Sequence, residues 1–152
     1  MRIAILGASS QIARDLIGSF NQQTNYVCDL FVREKNNAQN WLNSLNNINY
    51  TVKGYDQFSV DESYDVLINF VGIGDPAKAQ EMGAKIFDVT HYYDTLALDY
   101  IKQHKVCKYI FLSSGAVYGG NFEKPVSKET VANININQLE SAEWYSVAKL
   151  HA

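Results

Sequence analysis

Tyr145 and Lys149 stand four residues apart in YSVAK, the spacing that puts two side chains on one face of a helix. A phenol, with a pKa of about 10, is a poor base at neutral pH. An ammonium beside it stabilises the phenolate. Such a pair can exchange a proton with a hydroxyl or carbonyl while a hydride moves to or from a nicotinamide. Tyr-x-x-x-Lys arises often by chance as two surface neighbours, so its place in the chain matters more than the pair itself. Upstream lies SSGAVYGG, where the hydroxyl of Ser114 can hydrogen-bond a reacting oxygen and complete a Ser–Tyr–Lys site. Paired serines at a strand end also serve simply to satisfy backbone groups.

A second candidate opens the chain. GASSQIA, Gly7 to Ala13, leads from an apolar strand straight into a helical stripe. A dinucleotide fingerprint needs small residues for a tight turn, for backbone approach to pyrophosphate and for close helix–strand packing. Gly7, Ser10 and Ala13 occupy those places. The backbone of Ser9, Ser10, Gln11 and Ile12 would cradle phosphate at the positive end of the helix. With one glycine of three, an ordinary serine-capped strand–helix turn is the competing reading. At the end of the second strand stands Arg33, followed by Glu34. Arginine there suits a 2′-phosphate and leans toward NADP, whereas an acidic residue would bind the ribose hydroxyl of NAD.

These candidates need elements to position them, and the apolar pattern supplies them. RIAILG, YVCDLFV, residues 48 to 53, DVLINFV and CKYIFL read as five short buried strands. Between them run helical stripes. The first is Ile12, Ala13, Leu16, Ile17 and Phe20, and a short, poor helix covers residues 36 to 47. A long pattern runs from about 76 to 103, with Gly83 as a break inside it. The last helix spans Ser141 to Ala152. The alternation implies an α/β fold with a parallel sheet, helices on both faces and right-handed connections. All the motifs then fall at carboxyl ends of strands, where such sheets bind ligands.

Composition narrows the function classes. The chain has 152 residues, 47% hydrophobic and 19% charged, with net charge −3, nine Gly and two Pro. That excludes a disordered or collagen-like chain and fits one globular domain. No basic stripe favours a nucleic-acid partner, and no apolar run approaches the roughly 20 residues of a membrane helix. His91, His104 and His151 share no ligand spacing, so no metal site is expected. Cys28 and Cys107 lie in apolar runs and read as buried thiols of a cytoplasmic protein. Trp41 and Trp144 read as packing or partner-facing residues, Tyr92 and Tyr93 as helix-face packing, and Tyr118 as a packing residue or a substrate contact.

LSSGAVYG (Leu112 to Gly119) followed by YSVAK resembles the extended short-chain dehydrogenase/reductase family, in its NAD-dependent, nucleotide-sugar epimerase/dehydratase branch. The resemblance implies a Rossmann-type doubly wound sheet. It assigns Ser114 to the substrate oxygen, Tyr145 to proton transfer and Lys149 to the nicotinamide ribose. Gly7, Ser10 and Ala13 fall on the family's glycine turn, the last two as departures. Asn69, Val71 and Gly72 fall in the strand-four motif that lines the cofactor, and Asp56 falls near an adenine contact. Family members run about twice this length, so residues 1–152 read as the N-terminal cofactor-binding domain, with the C-terminal substrate domain absent.

The expectation is an NAD- or NADP-dependent epimerase, dehydratase or reductase domain acting on a nucleotide-activated sugar. The alternative is a non-catalytic NAD(P)-binding module or inactive remnant. A homodimer is expected through the helices near 85–103 and 141–152, burying Leu96, Ala97, Tyr100, Trp144, Val147 and Leu150.

Overall fold

A computed structural model of the chain describes residues 1–20, 25–45, 49–118, 125–141 and 143–152, the side chain of Pro76 aside. The elements are β1 (Arg2–Leu6), α1 (Gln11–Ser19), β2 (Val27–Phe31), α2 (Lys35–Leu42), β3 (Tyr50–Lys53), β4 (Val66–Asn69), α3 (Pro76–Met82), α4 (Lys85–Gln103), β5 (Lys108–Phe111) and α5 (Glu143–His151). Short 3₁₀ turns cover Tyr55–Gln57, Gly115–Tyr118 and Ile136–Gln138. Each expected strand and helix is found, most of them shortened at the ends. The poor helix stops at Leu42, well short of residue 47. Residue 48 of the expected third strand, the polar residues 21–24 after the first helix and Gly119 of the LSSGAVYG motif lie outside the described residues.

Two compact units make up the chain. The first comprises Met1–Val71 with Leu96–Leu112, and the second Gly72–Thr95 with Ser113–Ala152. In the first unit the five strands form one parallel sheet in the order β3-β2-β1-β4-β5. Successive side chains of a strand point to opposite faces, and both faces are buried. Ile3 and Ile5 of β1, Cys28 and Leu30 of β2, and Val66 and Ile68 of β4 pack with Ala13 and Ile17 of α1 and Ala38 and Leu42 of α2. Ala4, Leu6, Phe31 and Leu67 face the other way, onto Ala97 and Tyr100 of α4. This double burial is why the strands read as continuous apolar runs rather than as alternating ones.

Two expectations fail here. Ile12, assigned to the apolar stripe of α1, is 55% exposed. The buried positions of α1 are Ala13 and Ile17, one helical turn apart, and Ile12 lies off that line. Ala97 and Tyr100, expected on a dimer surface, are both 0% exposed. They are core residues of this unit, and the Tyr100 hydroxyl donates to the Glu62 carbonyl and accepts from the Tyr64 amide, both at 2.9 Å.

In the second unit, Gly83 ends α3 at φ +51, a conformation that favours glycine, and so breaks the 76–103 pattern as expected. The rings of Phe87 and His91 on α4 pack with His151 on α5, with the two histidines 4.9 Å apart. The turn Gly115–Tyr118 packs against α5. Cys28 and Cys107 are free and buried. Among the described residues no helix is long and apolar enough to cross a membrane.

Candidate functional site

The sheet order places β1 between β2 and β4, so the chain leaves β1 toward one side and returns from β3 to the other. This is the topological switch point of the sheet, at the carboxyl ends of β1 and β4, where open parallel sheets bind ligands. Gly7 closes β1 with φ +73. A β-carbon on it would lie 2.9 Å from the carbonyl carbon of Phe70 and from the nitrogen of Val71. Backbone here approaches backbone so closely that only glycine fits. Ser10 is the N-cap of α1, its hydroxyl accepting from the Ala13 amide at 3.3 Å. Ala13 is fully buried under the sheet. Gly7 thus makes the tight turn, Ser10 caps the helix and Ala13 packs closely between helix and strand. Ser9, Gln11 and Ile12 are exposed around the open, electropositive end of the helix.

Other expected cofactor contacts lie at the neighbouring strand ends. Arg33 is exposed one residue past Val32, and Glu34 is the N-cap of α2. Asp56 is exposed in the turn that follows Gly54. Asn69 is 0% exposed, and its amide shapes the exit of β4: Oδ1 accepts from Val71 N at 2.9 Å and Nδ2 donates to the Tyr109 hydroxyl at 3.3 Å. Val71 is half-buried. One residue here was not foreseen. The Gly7 amide donates to the hydroxyl of Tyr55 at 2.8 Å, so Tyr55 reaches the turn after β1 from the end of β3.

The proton-transfer candidates belong to the second unit. Tyr145 and Lys149 both lie on α5, one turn apart, as their spacing requires. Ser114 precedes the turn Gly115–Tyr118, which packs on the same helix, and its Oγ accepts from Ala116 N at 3.2 Å. Tyr145 and Ser114 are half-buried, whereas Lys149 is 5% exposed. Gly72 lies under the lysine: a β-carbon there would stand 3.0 Å from Nζ. Burial pushes the Lys149 ammonium below the usual lysine range, and the negative charge of Asp94 on α4 opposes that shift. Asp94 and Thr90, each 2% exposed, were not foreseen either. Their four-residue step from Ile86 onto the buried face of α4 was the available signal.

A family model described as the NAD dependent epimerase/dehydratase family matches residues 3–152. Among solved structures the chain is similar to UDP-glucose 4-epimerase from Bifidobacterium longum in complex with NAD+ and UDP, with TM-score 0.73, 20% identity, and coverage of 99% of this chain and 46% of that one. It is similar to UDP-glucuronic acid 4-epimerase from Bacillus cereus in complex with NAD, with TM-score 0.72, 19% identity, and coverage of 99% and 49%. It is also similar to dTDP-glucose 4,6-dehydratase from Bacillus anthracis in complex with NAD, with TM-score 0.70, 16% identity, and coverage of 100% and 49%. At such identities the likeness is one of fold, a Rossmann-type parallel sheet. The chain spans about half the length of these structures. No curated protein matches it in sequence.

Proposed function

The chain belongs to the NAD-dependent epimerase/dehydratase family, and from that premise we propose that it is the dinucleotide-binding and proton-transfer part of an enzyme acting on a nucleotide-activated sugar. The observation that carries the reading is Lys149, a buried cation one helical turn from Tyr145 on α5. A lysine is rarely buried without a task or a partner, and this pair has the residue types for proton exchange at a sugar hydroxyl.

The residues fit a dinucleotide. Gly7 has no room for a β-carbon, and the N-terminus of α1 offers amides and a positive dipole end. In this reading the backbone from Ser9 to Ile12 holds the pyrophosphate. Asp56 holds the adenine side, Val71 and Gly72 each supply a further cofactor contact, and Asn69 braces the exit of β4 from beneath. Arg33 meets a 2′-phosphate, which favours NADP, although the similar structures contain NAD. The bound nicotinamide would supply or accept the hydride. Ser114 holds the sugar oxygen by a hydrogen bond. Tyr145 takes or returns the proton of that oxygen, and Lys149 holds the ribose and stabilises the phenolate.

The sugar-nucleotide class is supported by the similar structures, one determined with NAD+ and UDP, and one with NAD and formylated UDP-arabinopyranose. The test is to load the protein with NAD, add UDP-glucose or dTDP-glucose, and follow absorbance at 340 nm. The proposal expects reduction of the bound NAD, slowed about 10²-fold or more by Tyr145→Phe with binding retained. A Phe variant at full rate would refute the role of Tyr145. Binding without reduction by any nucleotide sugar would mark a non-catalytic module, the reading favoured by Ser10 and Ala13 in place of two glycines.

A homodimer remains part of the proposal, on the exposed apolar side chains of the second unit, Leu150 of α5 and Tyr92 of α4, the latter read from the sequence as packing but 61% exposed. Sedimentation over a concentration series tests it, and a strict monomer at high micromolar concentration would reject it. The free, buried thiols Cys28 and Cys107 support a cytoplasmic location.

A further inference from the structure

The alternation of β1 sets where each of its amides points. Successive residues of a strand turn their peptide groups to opposite neighbours. Met1, Ile3, Ile5 and Gly7 therefore face β2, and Leu6 faces β4. The Val27 amide donates to the Met1 carbonyl at 3.0 Å, and on the other side the Phe70 amide donates to the Leu6 carbonyl at 2.9 Å. Continued by one step, the ladder would send the Gly7 amide to the carbonyl of Phe31, the last residue of β2. The positive φ of Gly7 breaks that step, and the Phe31 carbonyl accepts from the Ala8 amide instead, at 3.2 Å. The Gly7 amide has lost its place in the sheet, and the hydroxyl of Tyr55 supplies an acceptor at 2.8 Å.

Tyr55 is fixed where it stands. It opens the 3₁₀ turn Tyr55–Gln57 after Gly54. The Gln57 side chain closes that turn, accepting from the Gly54 amide at 3.0 Å and from Lys35 of α2 at 2.7 Å. The tyrosine ring packs against Phe31, with centroids 6.5 Å apart, beside the cluster of Tyr64 and Tyr100. The Leu6–Gly7 peptide is thus tied at both ends, its carbonyl to β4 and its amide to the residue two beyond β3. All of these residues belong to the first unit. Downstream, Ser10 takes up the Ala13 amide through Oγ at 3.3 Å and the Arg14 amide through its carbonyl at 2.9 Å. The amides of Gln11 and Ile12 precede the first in-helix acceptor and point out of the helix end.

We propose that Tyr55 is a positioning residue of this turn: its hydroxyl holds the Leu6–Gly7 peptide still, so that the Gln11 and Ile12 amides are presented to a pyrophosphate already in place. The role toward a pyrophosphate rests on the dinucleotide reading above, whereas the contact itself stands on the hydrogen bonds of the sheet. A turn fixed before binding spares the ligand the cost of ordering it. It also divides the amides of the turn, with Gly7 committed to the tyrosine and the helix end left to the ligand.

Amide exchange of the ¹⁵N-labelled full chain is read by NMR in the wild type and in Tyr55→Phe, which keeps the ring and removes the acceptor. Gly7 should exchange about tenfold faster in the variant, with Ile5 unmoved and the urea midpoint little changed. NADH and ADP-ribose, titrated by calorimetry, should both bind about five- to tenfold more weakly. An unmoved Gly7 amide would overturn the contact. A released Gly7 amide with unchanged affinities would leave it purely structural and overturn the positioning role. Should Tyr55→Phe fail to fold, the wild type decides: saturating NADH should shift the Gln11 and Ile12 amide resonances and slow their exchange, while Gly7 stays protected. Loss of Gly7 protection on binding would overturn the proposal, because the nucleotide would then take the amide that Tyr55 holds. A wild type that binds no NADH would overturn the dinucleotide reading instead, with the Gly7 exchange still deciding the contact.

Discussion

A β-carbon added to Gly72 would stand 3.0 Å from the Nζ of Lys149 and 3.2 Å from its Cε. The glycine that follows the fourth strand and the lysine of the last helix are therefore fitted to one another. Gly72→Ala forces the flexible end of Lys149 to move, without a backbone clash. Stability should change little, and NADH affinity should fall about tenfold through loss of a charge-assisted hydrogen bond. Urea unfolding and a fluorescence titration on the same variant check both halves. Unchanged affinity would separate Lys149 from the nucleotide.

Gly7 behaves differently. Its φ is +73, and a β-carbon would meet the backbone of Phe70 and Val71 at 2.9 Å. Backbone cannot swing aside as a lysine tip can. Gly7→Ala should cost about 1–3 kcal/mol in the conformational term alone, seen as a lower urea midpoint. A variant as stable as the wild type would contradict the turn described here.

The sequence made this turn visible, and its limits show in the same region. Gly7 stood out because a short apolar run ended on it and a helical stripe began. Five strands were readable because burial on both faces leaves continuous apolar runs such as RIAIL and VLIN. Gly83 was readable because glycine interrupts a long helical period. Tyr55 was not, because its partner Gly7 lies 48 residues away and no local rule joins them. Asp94 was missed because an acidic residue on a helix is first assigned to solvent, and only the burial of Ile86 and Thr90 turns that face inward. Periodicity put Ile12 inside, but the line of α1 that the sheet covers runs through Ala13 and Ile17 and leaves Ile12 beside it. It likewise marked Ala97 and Tyr100 as apolar without saying that the sheet itself covers them.

Asp29 gives a prediction in pH. It accepts from Arg2 at 2.8 Å, Lys53 at 2.9 Å and Tyr64 at 2.8 Å. Burial pushes its carboxyl up, but the hydrogen bonds from Lys53 and Tyr64 and the charges of Lys53 and Arg2 outweigh burial and hold it below the ordinary aspartate range. Its folded pKa thus lies under the unfolded value of about 3.9. The stabilisation is present above about pH 4 and is lost as pH falls through the folded pKa. Asp29→Asn should cost about 3 kcal/mol at pH 7, and the gap to the wild type should narrow below about pH 4. A gap that stays constant from pH 7 to pH 3 would contradict this.

Arg33 is exposed at the end of β2. If it meets a 2′-phosphate, Arg33→Ala should lower the NADP/NAD affinity ratio about tenfold while leaving NAD affinity nearly unchanged. Calorimetric titration with both cofactors measures the ratio. An unchanged ratio would make Arg33 a surface charge only.

The central claim is that this chain holds a dinucleotide at the open end of α1, and titration of the folded chain with NADH tests it most directly. The account predicts saturable binding of one NADH per chain, displaced by ADP-ribose because the pyrophosphate is held by Gly7 and the first turn of α1. Absence of binding for NAD, NADH, NADP and NADPH at millimolar concentration, by a chain shown to be folded, would contradict it.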